Sequence, residues 1–157
     1  MNRKISLMYR IHVPFTELIC RLIKLNEDRR DQYSFFGGVF KQQNIRRHCK
    51  ALSEQSDQNI LELSELIDDY KSQLTLCPDF TITPALWAAL EMARENDSIH
   101  FVASIINKIE GQFSVLYQFI CNMFTLSDDP AAQIIRNQYD HLLKSKANIP
   151  MLFLNMN

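Results

Sequence analysis

Apolar residues recur every third or fourth position along almost the whole chain, and this period constrains the fold more than any other feature. Phe15, Leu18, Leu22 and Leu25, with Ile19 and Ile23 alongside, mark a first stripe that resumes at Tyr33 and Phe36. A second runs through Ile45, Cys49, Leu52, Ile60, Leu63, Ile67, Tyr70 and Leu74. A third, the most apolar, holds Val102, Ile106, Ile109, Phe113, Leu116, Tyr117, Ile120 and Phe124, and a fourth holds Ile135, Tyr139 and Leu142. Such spacing gathers side chains on one face of an α-helix. Only 3 Gly and 5 Pro occur in 157 residues. An all-β chain needs a turn signal about every 8–12 residues, so that class is excluded.

The punctuation places the helix ends. Pro14 suits a first helical turn and Gly37-Gly38 a stop, which predicts a first helix over 14–36. The second stripe predicts a helix over 39–74, ended by Cys77-Pro78 because the residue before proline avoids the helical region. A loop follows over 76–83. Thr83-Pro84 then opens a short connector helix, 84–95, carrying Leu86, Trp87 and Leu90. Asn96-Asp97 interrupts it, with Asp97 placed to cap a third long helix over 98–124. Ser127-Asp128-Asp129-Pro130 opens the fourth, 130–147, and the tail 148–157, with Pro150, is expected to be irregular. The chain is expected to form a single all-α domain, 1–157, with its core in 14–147. Short links between long helices favour antiparallel neighbours, hence an up-down four-helix bundle with a connector helix between helices two and three.

Composition narrows the partners. Lys+Arg 17 against Asp+Glu 18 leaves a formal charge of −1, so no global attraction to nucleic acid or to a membrane surface is expected. No uncharged apolar run of 18 residues is present to span a bilayer. Arg10 and His12 break the N-terminal apolar stretch before a secretory core can form. The cysteines at 20, 49, 77 and 121 form no CxxC pair, which suits buried thiols in a cytoplasmic protein.

Each long helix also carries polar residues where a simple bundle would be apolar. These are Asn26, Arg29 and Arg30 in the first, Gln55, Ser56 and Asn59 in the second, Glu110 in the third and Gln138 in the fourth. In an antiparallel bundle these levels can coincide, and a buried polar layer is costly unless its members are hydrogen-bonded. Two readings follow. One is a hydrogen-bonded network with an ion pair, Arg29 or Arg30 with Glu110. The other is a metal centre with Glu110 as a ligand, holding iron or manganese. A di-metal site in a bundle draws on Glu-x-x-His pairs, because i and i+3 share a helix face. No Glu-x-x-His occurs here. Glu54-x-x-Asp57 and Glu62-x-x-Glu65 lack the imidazole, and Asp97-x-x-His100 opens a helix.

The chain resembles the small bacterial ferritin-like proteins of uncharacterised function. The stretches that carry the resemblance are Leu22-Ile-Lys-Leu-Asn-Glu-Asp-Arg-Arg-Asp-Gln-Tyr33, Trp87-Ala-Ala-Leu, Asn96-Asp97, Ile109-Glu110-Gly-Gln-Phe-Ser-Val-Leu-Tyr117 and Asn137-Gln138-Tyr139, together covering about residues 15–147. The resemblance implies a ferritin-like four-helix bundle. Family members carry a His or Arg on the inner faces of helices two and four. This chain has Glu54-Gln-Ser-Asp57-Gln58 in the first of these places, and Lys146 stands near where a His is expected in the second. Only Glu110 remains as a metal ligand. The expected function is therefore a non-enzymatic bundle without an intact di-metal centre, acting through protein contacts or in a stress-related role. The alternative is a metal-binding oxidoreductase that uses Glu110 and the inner polar groups.

Other chemistries are poorly supported. There is no nucleophile elbow and no phosphate loop, and His48 and Cys49 point about 100° apart on one helix. The run Arg46-Arg47-His48-x-Lys50 is expected to be the solvated face of helix two. The aromatics Tyr33, Phe35, Phe36 and Phe40 are expected to pack as core. Phe101, Phe119 and Met123 fall off the main stripe of helix three, which suggests a homodimer through that helix or cover by the apolar tail.

Overall fold

The computed structural model describes the backbone of residues 3–67, 82–95, 98–123 and 130–154, and the side chains of 17–67, 82–95, 98–122 and 130–150. The regular elements described are all helices: α1 (Arg3–Val39), α2 (Gln43–Glu65), α3 (Pro84–Glu95), α4 (Ile99–Met123) and α5 (Pro130–Leu154). The all-α expectation holds. Ile19, Leu22, Leu25, Ile45, Leu63, Leu90, Ile106, Ile109, Phe113, Ile120 and Ile135 are buried in one continuous core. No described helix is long and apolar enough to cross a membrane.

Bonds between helices fix their directions. Asn26 and Arg29 of α1 meet Asn59 and Ser56 of α2 in that order, so the two run antiparallel. The same pair meets Tyr117 and Glu110 of α4, so α4 also opposes α1 and runs with α2. Gln138 and Ser145 of α5 meet Asn59 and Gln55, so α5 opposes α2. Direction therefore alternates within each hairpin, α1–α2 and α4–α5, but not between them, which corrects a strict up-down order.

The return is made along the side of the bundle by α3. At its start, Thr83 N donates to Gln112 Oε1 at 3.1 Å, and Gln112 Nε2 donates to Thr83 Oγ1 at 2.6 Å. In its first turn, Trp87 Nε1 donates to Asp28 Oδ2 at 3.2 Å, and the indole packs edge-on to Tyr33 and stacked on Phe36. At its end, Ala93 and Arg94 line one small cleft with Phe40, Ile45 and Val102.

Several predicted boundaries shift. α1 begins at Arg3, runs through Pro14 and passes Gly37-Gly38. No described glycine has a positive φ, so the pair is not a left-handed cap. Gly37 packs against α2: a Cβ there would sit 3.5 Å from the Arg46 carbonyl oxygen and 3.6 Å from Lys50 N, ordinary contact distances. α2 ends at Glu65, and Tyr70, Leu74 and most of the expected 76–83 loop lie outside the described residues. α3 has the expected bounds, but the Thr83 hydroxyl bonds Gln112. Asp97 also lies outside the described residues, and Ser98 Oγ accepts from Phe101 N at the start of α4. α5 continues through Pro150 to Leu154, with Ile149 buried, so residues 148–154 are helix and not an irregular tail. Proline loses one backbone donor, a tolerable cost near a helix end.

Candidate functional site

The polar interruptions of all four long helices converge inside the bundle. Arg29 is the centre of one level. Its Nε donates to Glu110 Oε1 at 3.0 Å and its Nη2 to Glu110 Oε2 at 2.7 Å, a two-pronged ion pair. Nη1 donates to Ser56 Oγ at 2.8 Å and to the Leu52 carbonyl at 3.1 Å, and Nη2 also donates to Gln55 Oε1 at 2.9 Å. A guanidinium has five N–H donors, and all five are used. Below it lies the Phe113 ring, 4.6 Å from the guanidinium carbon. Gln55 Nε2 carries the chain of bonds on to Ser145 Oγ of α5 at 3.0 Å.

The second level is neutral except for Glu62 at its edge. Asn26 Nδ2 donates to the Leu22 carbonyl at 2.8 Å and to Tyr117 Oη at 2.9 Å. Asn59 Nδ2 donates to Asn26 Oδ1 at 3.0 Å, and Tyr117 Oη donates to Gln138 Oε1 at 2.6 Å. Gln138 Nε2 closes the ring on the Asn59 carbonyl at 3.3 Å and on Glu62 Oε2 at 2.9 Å.

Asn26, Arg29, Ser56, Asn59, Glu110 and Gln138 are all buried, and Gln55 is half-buried at the edge. Arg30 is not part of the layer. It turns outward, Nε 2.8 Å from Asp31 Oδ1 and Nη1 3.5 Å from Asp57 Oδ1, because successive residues point about 100° apart on a helix. Three members escaped the sequence reading as polar: Tyr117, Glu62 and Ser145. Tyr117 carries a signal, since it follows Glu110 by two helical turns on the same face, with a hydroxyl at the tip of an apolar ring.

The electrostatics follow from burial. Burial disfavours the Arg29 charge, but Glu110 outweighs it and the guanidinium pKa is raised. Burial pushes both Tyr117 and Tyr33 far above the usual phenol range. The negative charge of Glu110 raises Tyr33 further, and the Tyr33 hydroxyl makes no hydrogen bond of good geometry. Burial raises the Cys49 thiol to about 12 and the Cys121 thiol to about 11, so neither is a ready nucleophile. Burial also lowers the pKa of His48.

His48 is buried, which corrects the reading of its run as wholly solvated, whereas Arg46, Arg47 and Lys50 are exposed. His100 and His141 are exposed. Glu54 and Asp57 pair on the surface with Lys50 and Arg30. No group of three or more His, Cys, Asp or Glu side chains that could hold a metal ion occurs among the described residues. Near Lys146, the ammonium lies 3.5 Å from where a Cβ on Gly111 would stand, beside Glu110 in the chain. A cation ligated by Glu110 would meet a guanidinium already bonded to both carboxylate oxygens, a poor donor set for a metal. Compared with known proteins, the chain matches no family model, no curated protein and no solved structure.

Proposed function

We propose that this chain is a ferritin-like helical bundle in which an ion pair takes the place of a metal centre, and that it works through protein contacts at its surface and not by catalysis. The observation that carries this reading is closure of the buried layer. All five donors of Arg29 and both oxygens of Glu110 are spent on one another and on neighbouring helices. No Arg29 donor is left over to bind a substrate, and the guanidinium covers both Glu110 oxygens. The two hairpins joined by one long crossover support the ferritin-like comparison, since bundles of that kind contain one such connection. The paired layer also pins register: sliding α1 against α4 by a turn would strand a buried charge, at a cost of several kcal/mol.

The contact surface in this reading is the outer face of α4, where Phe101, Val115 and Phe119 are exposed, and its partner is a second copy of the chain in the cytoplasm. Phe101 and Phe119 are about five helical turns apart and so share a side. Metal analysis after incubation with Fe(II) and Mn(II), with sedimentation velocity on the same sample, tests the proposal. Substoichiometric metal and a dimer that dissociates in Phe119→Ser are expected. Near-stoichiometric iron or manganese that disappears in Glu110→Ala would overturn it in favour of a metal-binding oxidoreductase.

A further inference from the structure

We propose that the outer groove between α1 and α2 binds a phosphorylated small molecule. The groove encloses about 560 Å³ and is lined from α1 by Ser34, Gly37 and Gly38 and from α2 by Arg46, Arg47 and Lys50, among others. That volume lies within the range of small-molecule sites, roughly 300–1,000 Å³, and exceeds what a lone phosphate fills. Three cations face it against one lining carboxylate, Glu54.

The cations are available. Arg47 makes no hydrogen bond or ion pair with a described residue. Lys50 is held only by Glu54 at 3.8 Å, with both side chains well exposed, a pair of little energetic weight. Arg46 is tethered through Nε to the Gly37 carbonyl at 3.2 Å, which fixes the guanidinium at the groove wall and leaves both terminal nitrogens for a ligand. A planar guanidinium held in this way suits the paired oxygens of a phosphate.

Gly38 supplies an independent argument. It lies in the last turn of α1, one residue before the helix ends. Its φ is not positive, and a Cβ added there would meet nothing within 4 Å. The space a side chain would take there is open. What the missing side chain does is keep the groove open beside the arginines.

The test is titration calorimetry of the full chain with pyrophosphate at low ionic strength. Saturable binding is expected, weakened at least tenfold in Arg46→Gln and in Arg47→Gln and unchanged in Lys108→Gln, an exposed lysine outside the groove. Gly38→Met, which narrows the groove without altering charge, should weaken binding as much while leaving the melting temperature near that of the parent. Absence of binding at millimolar pyrophosphate overturns the proposal, as does equal binding by the parent and Gly38→Met or an equal loss in Lys108→Gln. Single-stranded DNA that binds more tightly than pyrophosphate would instead make the groove part of a nucleic-acid track and overturn the small-molecule assignment.

Discussion

The two levels of the buried layer lie one helical turn apart on α1 and are built on opposite principles. At the Arg29 level a full charge is buried and matched by a full countercharge, with Ser56, Gln55 and the Leu52 carbonyl taking the remaining donors. At the Asn26 level no described member within the ring is charged except Glu62 at its edge, and amides and a phenol close a ring of ordinary hydrogen bonds. The first level is indifferent or even costly as a whole but severe when broken, because desolvating two ions offsets most of their attraction. The second loses a bond and leaves at most a neutral group unpaired, which costs less than a stranded charge. The lesson is that importance in the intact fold and sensitivity to mutation are different quantities.

The largest effect expected from this difference is at Glu110. Glu110→Gln should destabilise the fold by about 3–5 kcal/mol in urea denaturation, since it strands the Arg29 charge. Pairing it as Arg29→Met with Glu110→Leu should recover most of that loss. If the double variant is no more stable than Glu110→Gln, the charged level contributes directly to stability and the contrast fails.

The neutral level should respond less. Tyr117→Phe orphans the Gln138 amide oxygen and removes one acceptor of Asn26 Nδ2, and costs about 1–3 kcal/mol. Tyr33→Phe, by contrast, removes a buried hydroxyl without a good bond and should be neutral or slightly stabilising in the same assay. Equal losses at the two tyrosines would show that ring packing, and not the hydroxyl, sets the value of this level.

Protonation offers a milder probe beside the charged level. His48 has a folded pKa depressed by burial below its ordinary 6.5, so below that pH the unfolded chain takes up protons that the folded chain refuses. Stability should therefore be fully present above pH 6.5 and fall as the pH drops toward the folded pKa. His48→Gln should show a flatter profile in denaturation midpoints between pH 7.5 and 5.5. The smallest change is expected at Arg30→Ala, within about 0.5 kcal/mol, because its pairs with Asp31 and Asp57 are exposed. A loss comparable to that at Glu110 would place Arg30 back in the layer.

Adjacent Arg29 and Arg30 show how far local sequence reaches. Both interrupt the same stripe, and periodicity marks the interruption without saying which arginine turns inward. Glu110, Ser56 and Gln138 were recognisable one by one as polar residues near a buried face, but their meeting depends on the relative slide of four helices. The groove beside Gly38 was less legible still, since the basic run on α2 looks like any solvated face until α1 is laid beside it.

What the chain determined alone is what acts within a few residues: helical period, the start of α3 at Thr83-Pro84 and of α5 at Pro130, and which faces are apolar. Gly37-Gly38 fall in the last turn of α1, so the stop they signal is only two or three residues late, whereas Pro150 misled because its stopping power is a local preference of about 3 kcal/mol that burial of neighbours such as Ile149 offsets. Tertiary structure alone decided the direction of α4, the choice of Arg29 over Arg30 and the pairing with Glu110 across 81 residues of chain. Those are settled by which arrangement leaves no buried charge without a partner, a condition on the whole bundle that no window of sequence contains.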